Sequence, residues 1–415
     1  MGEVVNQRVD VDVDCARRVQ LEHDGGGVRP FRVAERRPDQ RRVRGIDQAV
    51  DLYDVDAAAV HVLRAGDRAE RGPEDEEGAD HGEQLTHAHR SVVARAFYDG
   101  AMEVAEFCST SRVVIVAGKG GVGKTTVTAA FAITAVRAGK SVLIVEVEGK
   151  SGLPSMFGAR ALGYDEIDLE PGIRARFLTP DAALVDYLVS HGMRRISKRL
   201  AASGALDVVA TAVPGMKDIL VLGKVKSLEE SRVADLVIVD APAAGHAVTF
   251  LLSARGLLDA VRVGPIRKQA QDVVSLISDP ARCQVMLVTL PEETPVSEVV
   301  DTAFAVEDRA GVALGPVVVN GCFAPLPVSV AARPSAILDD ARTCGRFVSE
   351  READDLARAA AFLAERQALQ HEQLERLHAR LPLPQIELPF VFEPDITRDQ
   401  LDVLADAFTR GVERL

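Results

Sequence analysis

Short runs of apolar residues alternate with longer stretches of helical period from Arg112 to the end of the chain. Runs rich in Val, Ile and Leu predict strands buried on both faces, and the stretches between them predict the covering helices. The predicted strands are residues 112–116, 141–147, 174–178, 234–240, 283–290, 315–320 and 385–388. The pattern therefore predicts an α/β fold with a doubly wound, mostly parallel sheet.

Four longer stretches predict helices at residues 181–200, 295–309, 348–381 and 397–412. The third has leucines at helical spacing, and we expect these to pack in the core or on a partner helix: Leu356, Leu363, Leu374, Leu377 and Leu381. We expect residues 102–415 to form one domain, with a helical insertion around residues 180–232.

Residues 1–101 differ from the rest of the chain. They contain no lysine, 15 arginines, 21 acidic residues and four leucines, with no sustained apolar period. This composition predicts a disordered extension. The alternative is that translation begins near Met102.

Composition narrows the function classes. A net charge of −13, 4% aromatic residues and no tryptophan argue against nucleic acid as a main partner. The five cysteines are scattered without a C-x-x-C pair, so they predict reduced thiols rather than a disulfide framework or a zinc site. No apolar run reaches the length of a membrane span, and the acidic start lacks a signal-peptide pattern, so we expect a cytoplasmic protein.

The strongest motif follows the first predicted strand. Residues 118–126 read Gly118-Lys119-Gly120-Gly121-Val122-Gly123-Lys124-Thr125-Thr126 and fit G-x-x-x-x-G-K-[ST] between a strand and a helix. The glycines let backbone N–H groups surround a phosphate, and the helix turns its positive end toward the same anion. Lys124 supplies a point charge, and the Thr125 hydroxyl can bind Mg²⁺. The motif predicts a phosphate-binding P-loop.

Acidic residues end two of the predicted strands. Asp240 follows four apolar residues, as expected of the second carboxylate beside Mg²⁺ in a P-loop ATPase. Glu146 and Glu148 stand at the end of the strand at residues 141–147. The carboxyl ends of parallel strands are where such folds bind ligands.

Lys119 is an additional lysine that a P-loop does not need. The string Lys-Gly-Gly-Val-Gly-Lys-Thr resembles the deviant P-loop of the arsenical-pump and tail-anchored-protein targeting ATPases and of the MinD/ParA partition ATPases. The stretch from Asp240 to His246 resembles switch II of the first two families, although Pro242 comes one residue early. The resemblance implies that Lys119 reaches across a dimer to the partner's nucleotide.

The same resemblance assigns further residues. It implies that Glu148 orients the attacking water in switch I, although Gly149-Lys150-Ser151 replaces the family's Pro-Ala-His. A structural carboxylate at Glu148 is the alternative, and Glu146 is the rival residue for the role. It implies that Gly245 offers an N–H near the γ-phosphate, that Asn320 reads adenine, and that the loop at Pro389 contacts the base. For Asn320, a capping role in a turn remains the alternative.

The resemblance implies an ATPase with ATP and Mg²⁺, in which Lys119, Lys124, Glu148 and Asp240 are catalytic and Thr125 and Asp240 bind the metal. Since one P-loop is present, we expect a homodimer, or a heterodimer with a paralogue, and an unidentified protein cargo or membrane partner. Two alternatives remain open: a partition or membrane-surface ATPase of the MinD/ParA type, and a nucleotide-binding regulator that barely hydrolyses.

Overall fold

The structure is a computed structural model that describes residues 102–147, 152–190, 192, 195, 215–325 and 333–415. Its strands are β1 (Val113–Gly118), β2 (Val142–Glu146), β3 (Ile167–Glu170), β4 (Ile173–Phe177), β5 (Leu236–Ala243), β6 (Cys283–Thr289), β7 (Ala313–Leu314), β8 (Val317–Cys322) and β9 (Gln385–Pro389).

The helices before β6 are α1 (Val104–Phe107), α2 (Lys124–Arg137), α3 (Leu153–Met156), α4 (Pro180–Ser190), α5 (Met216–Glu230), α6 (Ala244–Ala260) and α7 (Pro265–Ile277). After β6 come α8 (Glu293–Phe304), a π-helical segment (Ala305–Ala310), α9 (Pro334–Thr343), α10 (Glu350–Arg380) and α11 (Arg398–Val412).

Within the described residues, the strands form one sheet in the order β3-β4-β2-β5-β1-β6-β8-β9, with β7 beside β6. Every strand pairing recorded there is parallel except that of β3 with β4. The prediction of a doubly wound, mostly parallel sheet is confirmed. The sheet order places β1 between β5 and β6, so the loop after β1 lies at the centre of the carboxyl edge.

Alternate side chains of the central strands pack on opposite faces of the sheet. Val113 and Ile115 belong to the core under α5, α6, α7 and α8, whereas Val114 and Val116 belong to the core under α1, α2 and α11. Burial on both faces explains why these strands are continuous apolar runs in the sequence.

Helix α2 is fixed on the second face by aromatic and polar contacts. Phe131 packs against Phe107 and Phe408, with ring centroids 5.8 and 5.1 Å apart. Thr134 Oγ1 also donates a hydrogen bond to the carbonyl of Ala405 at 3.2 Å. These contacts fix the body of α2, the helix whose first turn follows the P-loop and would face an anion bound there.

Two elements were not predicted, and one leucine of α10 lies outside the core. Leu356 is 51% exposed, which leaves the partner helix as its expected contact, whereas Leu377 and Leu381 are buried in the core. Strand β3 was not predicted, since its residues are only partly buried and its charges break the apolar pattern. Helix α9 was not predicted because it has no buried residue to set a period.

Several predictions fall outside the described residues. They concern the extension 1–101, Glu148 with residues 149–151, and the end of the helix predicted at 181–200. Among the helices of the described ranges, none combines the length and the apolar character that crossing a bilayer requires.

Candidate functional site

Gly118 at the end of β1 and Gly123 just before α2 cannot take a side chain without displacing a neighbouring group. A Cβ on Gly118 would come closer than 3.0 Å to the carbonyl oxygen of Val288 in β6. Gly123 has a φ of 87° and caps α2, and a Cβ there would meet Asn320 Nδ2 inside the same distance. The backbone therefore folds closely against β6 and β8, as a loop that wraps a phosphate requires.

The two lysines of the loop are held in different directions. Lys124 Nζ turns back over the loop and donates a hydrogen bond to the carbonyl of Lys119 at 3.3 Å. Lys119 Nζ instead lies 2.7 Å from Oε1 of Glu298 in α8. Lys124 thus points into the concave side of the loop, and Lys119 points out of it toward α8.

Thr125, in the first turn of α2, contacts Asp240 of β5. Its Oγ1 donates a hydrogen bond to Asp240 Oδ2 at 2.7 Å, and Asp240 is buried. Asp240 is opposite Val116 of β1 and Glu146 of β2 in the parallel register. The structure therefore brings together two predicted metal ligands that are 115 residues apart in the sequence.

Hard divalent cations such as Mg²⁺ prefer carboxylate and hydroxyl oxygens, and Thr125 and Asp240 supply both types. Gly121 of the adjacent loop has open space on its Cβ side, where phosphate oxygens could approach the backbone. The donor set fits Mg²⁺ bound together with a nucleotide.

Glu146 is the second buried carboxylate at this edge of the sheet. It ends β2, and its register partner is Asp240. Glu148, the predicted water-orienting residue, lies two positions further on, outside the described residues.

Strand β5 continues three residues beyond Asp240, and α6 begins at Ala244. The stretch from Asp240 to His246 was compared with a switch loop, yet it is strand followed directly by helix. Gly245 lies in the first turn of α6, where backbone N–H groups have no intrahelical acceptor. This is a suitable position for an N–H that faces a phosphate.

Asn320 of β8 contacts the P-loop. Its Nδ2 donates a hydrogen bond to the carbonyl of Val122 at 3.0 Å. A carboxamide has a second N–H and an acceptor oxygen, so one side chain can support the loop and pair with a base edge. The role of Asn320 in reading adenine stays a prediction.

Pro389 ends β9 opposite Cys322 of β8, two positions beyond Asn320. Three phenylalanine rings follow these strand ends: Phe323 and Phe390 have centroids 5.0 Å apart, and Phe390 and Phe392 have centroids 4.8 Å apart. We call these three rings the Phe cluster. Such rings can stack on a planar base.

Sequence reasoning missed the Phe cluster, Glu298 and Gln370. Gln370, buried in α10, accepts from the N–H of Phe323 at 2.8 Å and donates to the carbonyl of Gly321 at 3.0 Å. The only signal in the sequence was the Phe-x-Phe after Pro389. Gln370 and Glu298 come from helices distant in the sequence, so no local pattern marks them.

A strand, a glycine loop, a helix that begins with Lys124, and a threonine bonded to the acid of the adjacent strand together define a P-loop protein of the α/β class. Residues 111–261 match the family model described as "Anion-transporting ATPase". The chain is 32% identical over 309 residues to "ATPase BagA" of Mycobacterium tuberculosis, an alignment that covers 68% of this chain and 87% of that protein. The chain belongs to the anion-transporting ATPase family.

Two further relatives come from other organisms. The chain is 32% identical over 141 residues to "ATPase get3" of Schizosaccharomyces japonicus, covering 33% of this chain and 42% of that protein. It is 22% identical over 400 residues to "Putative arsenical pump-driving ATPase" of Halobacterium salinarum, covering 88% and 57%. These matches confirm the resemblance to the arsenical-pump and tail-anchored-targeting ATPases.

Proposed function

We propose that this protein hydrolyses ATP with Mg²⁺ as a dimer and couples its nucleotide state to the binding of a partner. The observation that carries the proposal is the 2.7 Å hydrogen bond between Thr125 Oγ1 and Asp240 Oδ2 beside the P-loop. It supports the proposal because it joins two oxygen ligands at the end of a loop suited to phosphate. Membership of an ATPase family supports the same class of activity.

The residues of the loop would act by positioning and by electrostatic stabilisation. Lys124 would exchange the carbonyl of Lys119 for phosphate oxygens, and the N–H groups of residues 120–126 would hold the same oxygens. Thr125 and Asp240 would bind Mg²⁺, which when bound neutralises charge on the phosphate oxygens. Since Asp240 is buried, its charge acts in a low local dielectric.

The water-orienting group in this proposal is Glu148, with Glu146 as the alternative. Its position favours Glu146, because it is a buried carboxylate in register with Asp240. Glu148 is favoured by the family resemblance. Glu148→Gln and Glu146→Gln separate them, since the variant that loses turnover while retaining ATP identifies the orienting residue.

Lys119 and the single P-loop in the chain support the proposed dimer. Lys119 is dispensable for its own loop, so we propose that it crosses to the nucleotide of a second subunit, in a homodimer or a heterodimer with a paralogue.

An unidentified protein cargo or membrane partner would respond to the nucleotide state, and nucleic acid would not. We propose that residues 102–415 form the catalytic domain, with a helical insertion around 180–232, and that it works in the cytoplasm.

The proposal is tested by ATP titration calorimetry and phosphate release, with Mg²⁺ and with EDTA. We expect Lys124→Ala to weaken ATP binding itself. We expect Asp240→Asn, which keeps the shape of the side chain, to lower Mg²⁺-dependent turnover by about 10²-fold or more. Asp354→Asn, on the exposed side of α10, is the control and should match the wild type.

The outcomes separate the alternatives. Tight Mg²⁺-ATP binding without turnover, alone or with candidate partners, would favour the regulator. ATP-dependent sedimentation with lipid vesicles would favour the membrane-surface ATPase. An unchanged ATP affinity in Lys124→Ala would contradict the proposed site.

A further inference from the structure

The side chain of Lys119 has a partner on its own subunit. Its Nζ lies 2.7 Å from Glu298 Oε1, and the two side chains are 43% and 41% exposed. An ion pair this exposed is weak and is screened by salt. It can therefore hold a lysine in one direction and still release it to a stronger anion.

Glu298 is fixed on a rigid element. It lies in the middle of α8, and the neighbouring Val299 and Val300 are buried in the core. The other acids near the start of this helix face α10, where Glu292 and Glu293 lie 3.8 Å from Arg366 and Arg376. Glu298 is thus the acid that α8 directs at the P-loop.

Lys119, in contrast, stands between Gly118 and Gly120, in a loop with unusual backbone freedom. The carbonyl of Lys119 also accepts the hydrogen bond from Lys124 Nζ. When Lys124 turns to a phosphate, that carbonyl loses its donor, and the ion pair with Glu298 becomes the contact that holds Lys119.

We propose that Glu298 is a positioning residue. It keeps the Lys119 side chain on its own subunit until that side chain moves to the nucleotide bound by a second subunit. The inference rests on the proposed function, because it requires Lys119 to act across a dimer. The polyphosphate of a nucleotide carries several negative charges in a closed, water-poor site, so it outcompetes one exposed carboxylate. Glu298 thereby sets how readily the active dimer forms.

The test measures specific ATPase activity against protein concentration for the full chain. Glu298→Gln keeps the shape of the side chain and removes its charge. We expect it to lower the protein concentration for half-maximal activity by about twofold to fivefold at low salt, with kcat at saturating protein unchanged. The difference should shrink toward zero in about 1 M salt, where the Debye length is about 3 Å. Glu293→Gln, on the same helix, should match the wild type.

Two further measurements show whether Glu298 acts through Lys119. In a Lys119→Ala background, Glu298→Gln should leave the dimerisation midpoint in sedimentation unchanged. In nucleotide-free protein, acetylation of Lys119 followed by mass spectrometry should be at least about twofold faster in Glu298→Gln than in the wild type, with Lys226 as the internal reference.

Failure of the positioning role and failure of the proposed function give different results. If Lys119→Ala lowers turnover but Glu298→Gln leaves the activation curve and Lys119 acetylation unchanged, the positioning role is wrong and the proposed function stands. A lower kcat in Glu298→Gln would also overturn it, because Glu298 would then support the chemistry. Full turnover by Lys119→Ala would overturn the crossing lysine, and this inference with it.

Discussion

Asn320 donates a hydrogen bond from Nδ2 to the carbonyl of Val122 at 3.0 Å, although 198 residues separate the two in the sequence. The bond ties the end of β8, where a base would lie, to the loop where phosphates would lie.

Asn320→Ala should weaken ATP binding by about twofold to tenfold, the usual value of one hydrogen bond, because the loop loses a support. If Asn320 also reads adenine, the preference for ATP over GTP should narrow in the same variant. Titration calorimetry with both nucleotides checks this. An equal loss for ATP and GTP would mean that Asn320 only supports the loop.

Two glycines of the P-loop should differ in how much stability an alanine substitution costs. Gly121 and Gly123 share a φ of 87°, but only at Gly123 would a Cβ meet another residue, Asn320. Gly121→Ala should therefore lower the free energy of unfolding by about 1 kcal/mol through backbone strain alone. Gly123→Ala should cost more and should also weaken nucleotide binding. Urea unfolding together with ATP titration measures both, and equal effects would show that the contact with Asn320 is unimportant.

A buried carboxylate contacts two arginines at the opposite edge of the sheet. Glu229 of α5 contacts Arg112, just before β1, and accepts from Arg282, just before β6, at 2.5 Å. This contact with Glu229 raises the pKa of Arg282. Glu229→Gln should lower the free energy of unfolding by about 3 kcal/mol, since two guanidinium groups lose their shared carboxylate.

Glu230→Gln is the matched control, because its side chain is 50% exposed, pairs with Lys226 at 2.8 Å and approaches Arg282 only to 3.7 Å. It should cost less than about 1 kcal/mol. Both variants should keep the kcat of the wild type. A catalytic defect in Glu229→Gln at full folding would show that the two edges of the sheet are coupled.

Met102 is buried in the same core as Phe107, which packs against Phe131. A chain that starts at Met102 should therefore fold and bind ATP with wild-type affinity. A chain that starts at Ser109 should lose about 3 kcal/mol or more of stability, because it lacks the ring of Phe107. Thermal unfolding and ATP titration compare the two. Loss of ATP affinity in the chain that starts at Met102 would place residues 1–101 in the functional domain.

Residues buried on both faces of the sheet, such as Ile115 and Val239, are apolar without interruption, and that is why the sequence predicts the central strands so directly. The P-loop was predictable because its function demands a fixed spacing. The ligand pair Thr125 and Asp240 followed from the rule that parallel strand ends meet at one edge.

Features with little burial escaped prediction. Residues 334–343 form a helix with no buried side chain, so no apolar period marks it. Leu356 has the spacing of a core residue but is 51% exposed, whereas Leu377 of the same helix is buried. The ion pair of Lys119 with Glu298 joins positions 179 residues apart through exposed side chains, and only the folded chain reveals it.

The central claim, an ATPase whose lysine acts across a dimer, is tested most directly by mixing two inactive variants. Lys119→Ala should bind ATP but lose about 10³-fold in kcat, as when an arginine finger is removed, and Lys124→Ala should bind ATP only weakly. A mixed dimer has one site with an intact Lys124 that receives Lys119 from its partner.

At equal amounts and random pairing, we predict that phosphate release recovers to about a quarter of the wild-type rate, since half of the dimers are mixed and each has one working site. Sedimentation confirms that dimers are present in the mixture. Activity that stays at the sum of the two separate variants at every mixing ratio would contradict the account.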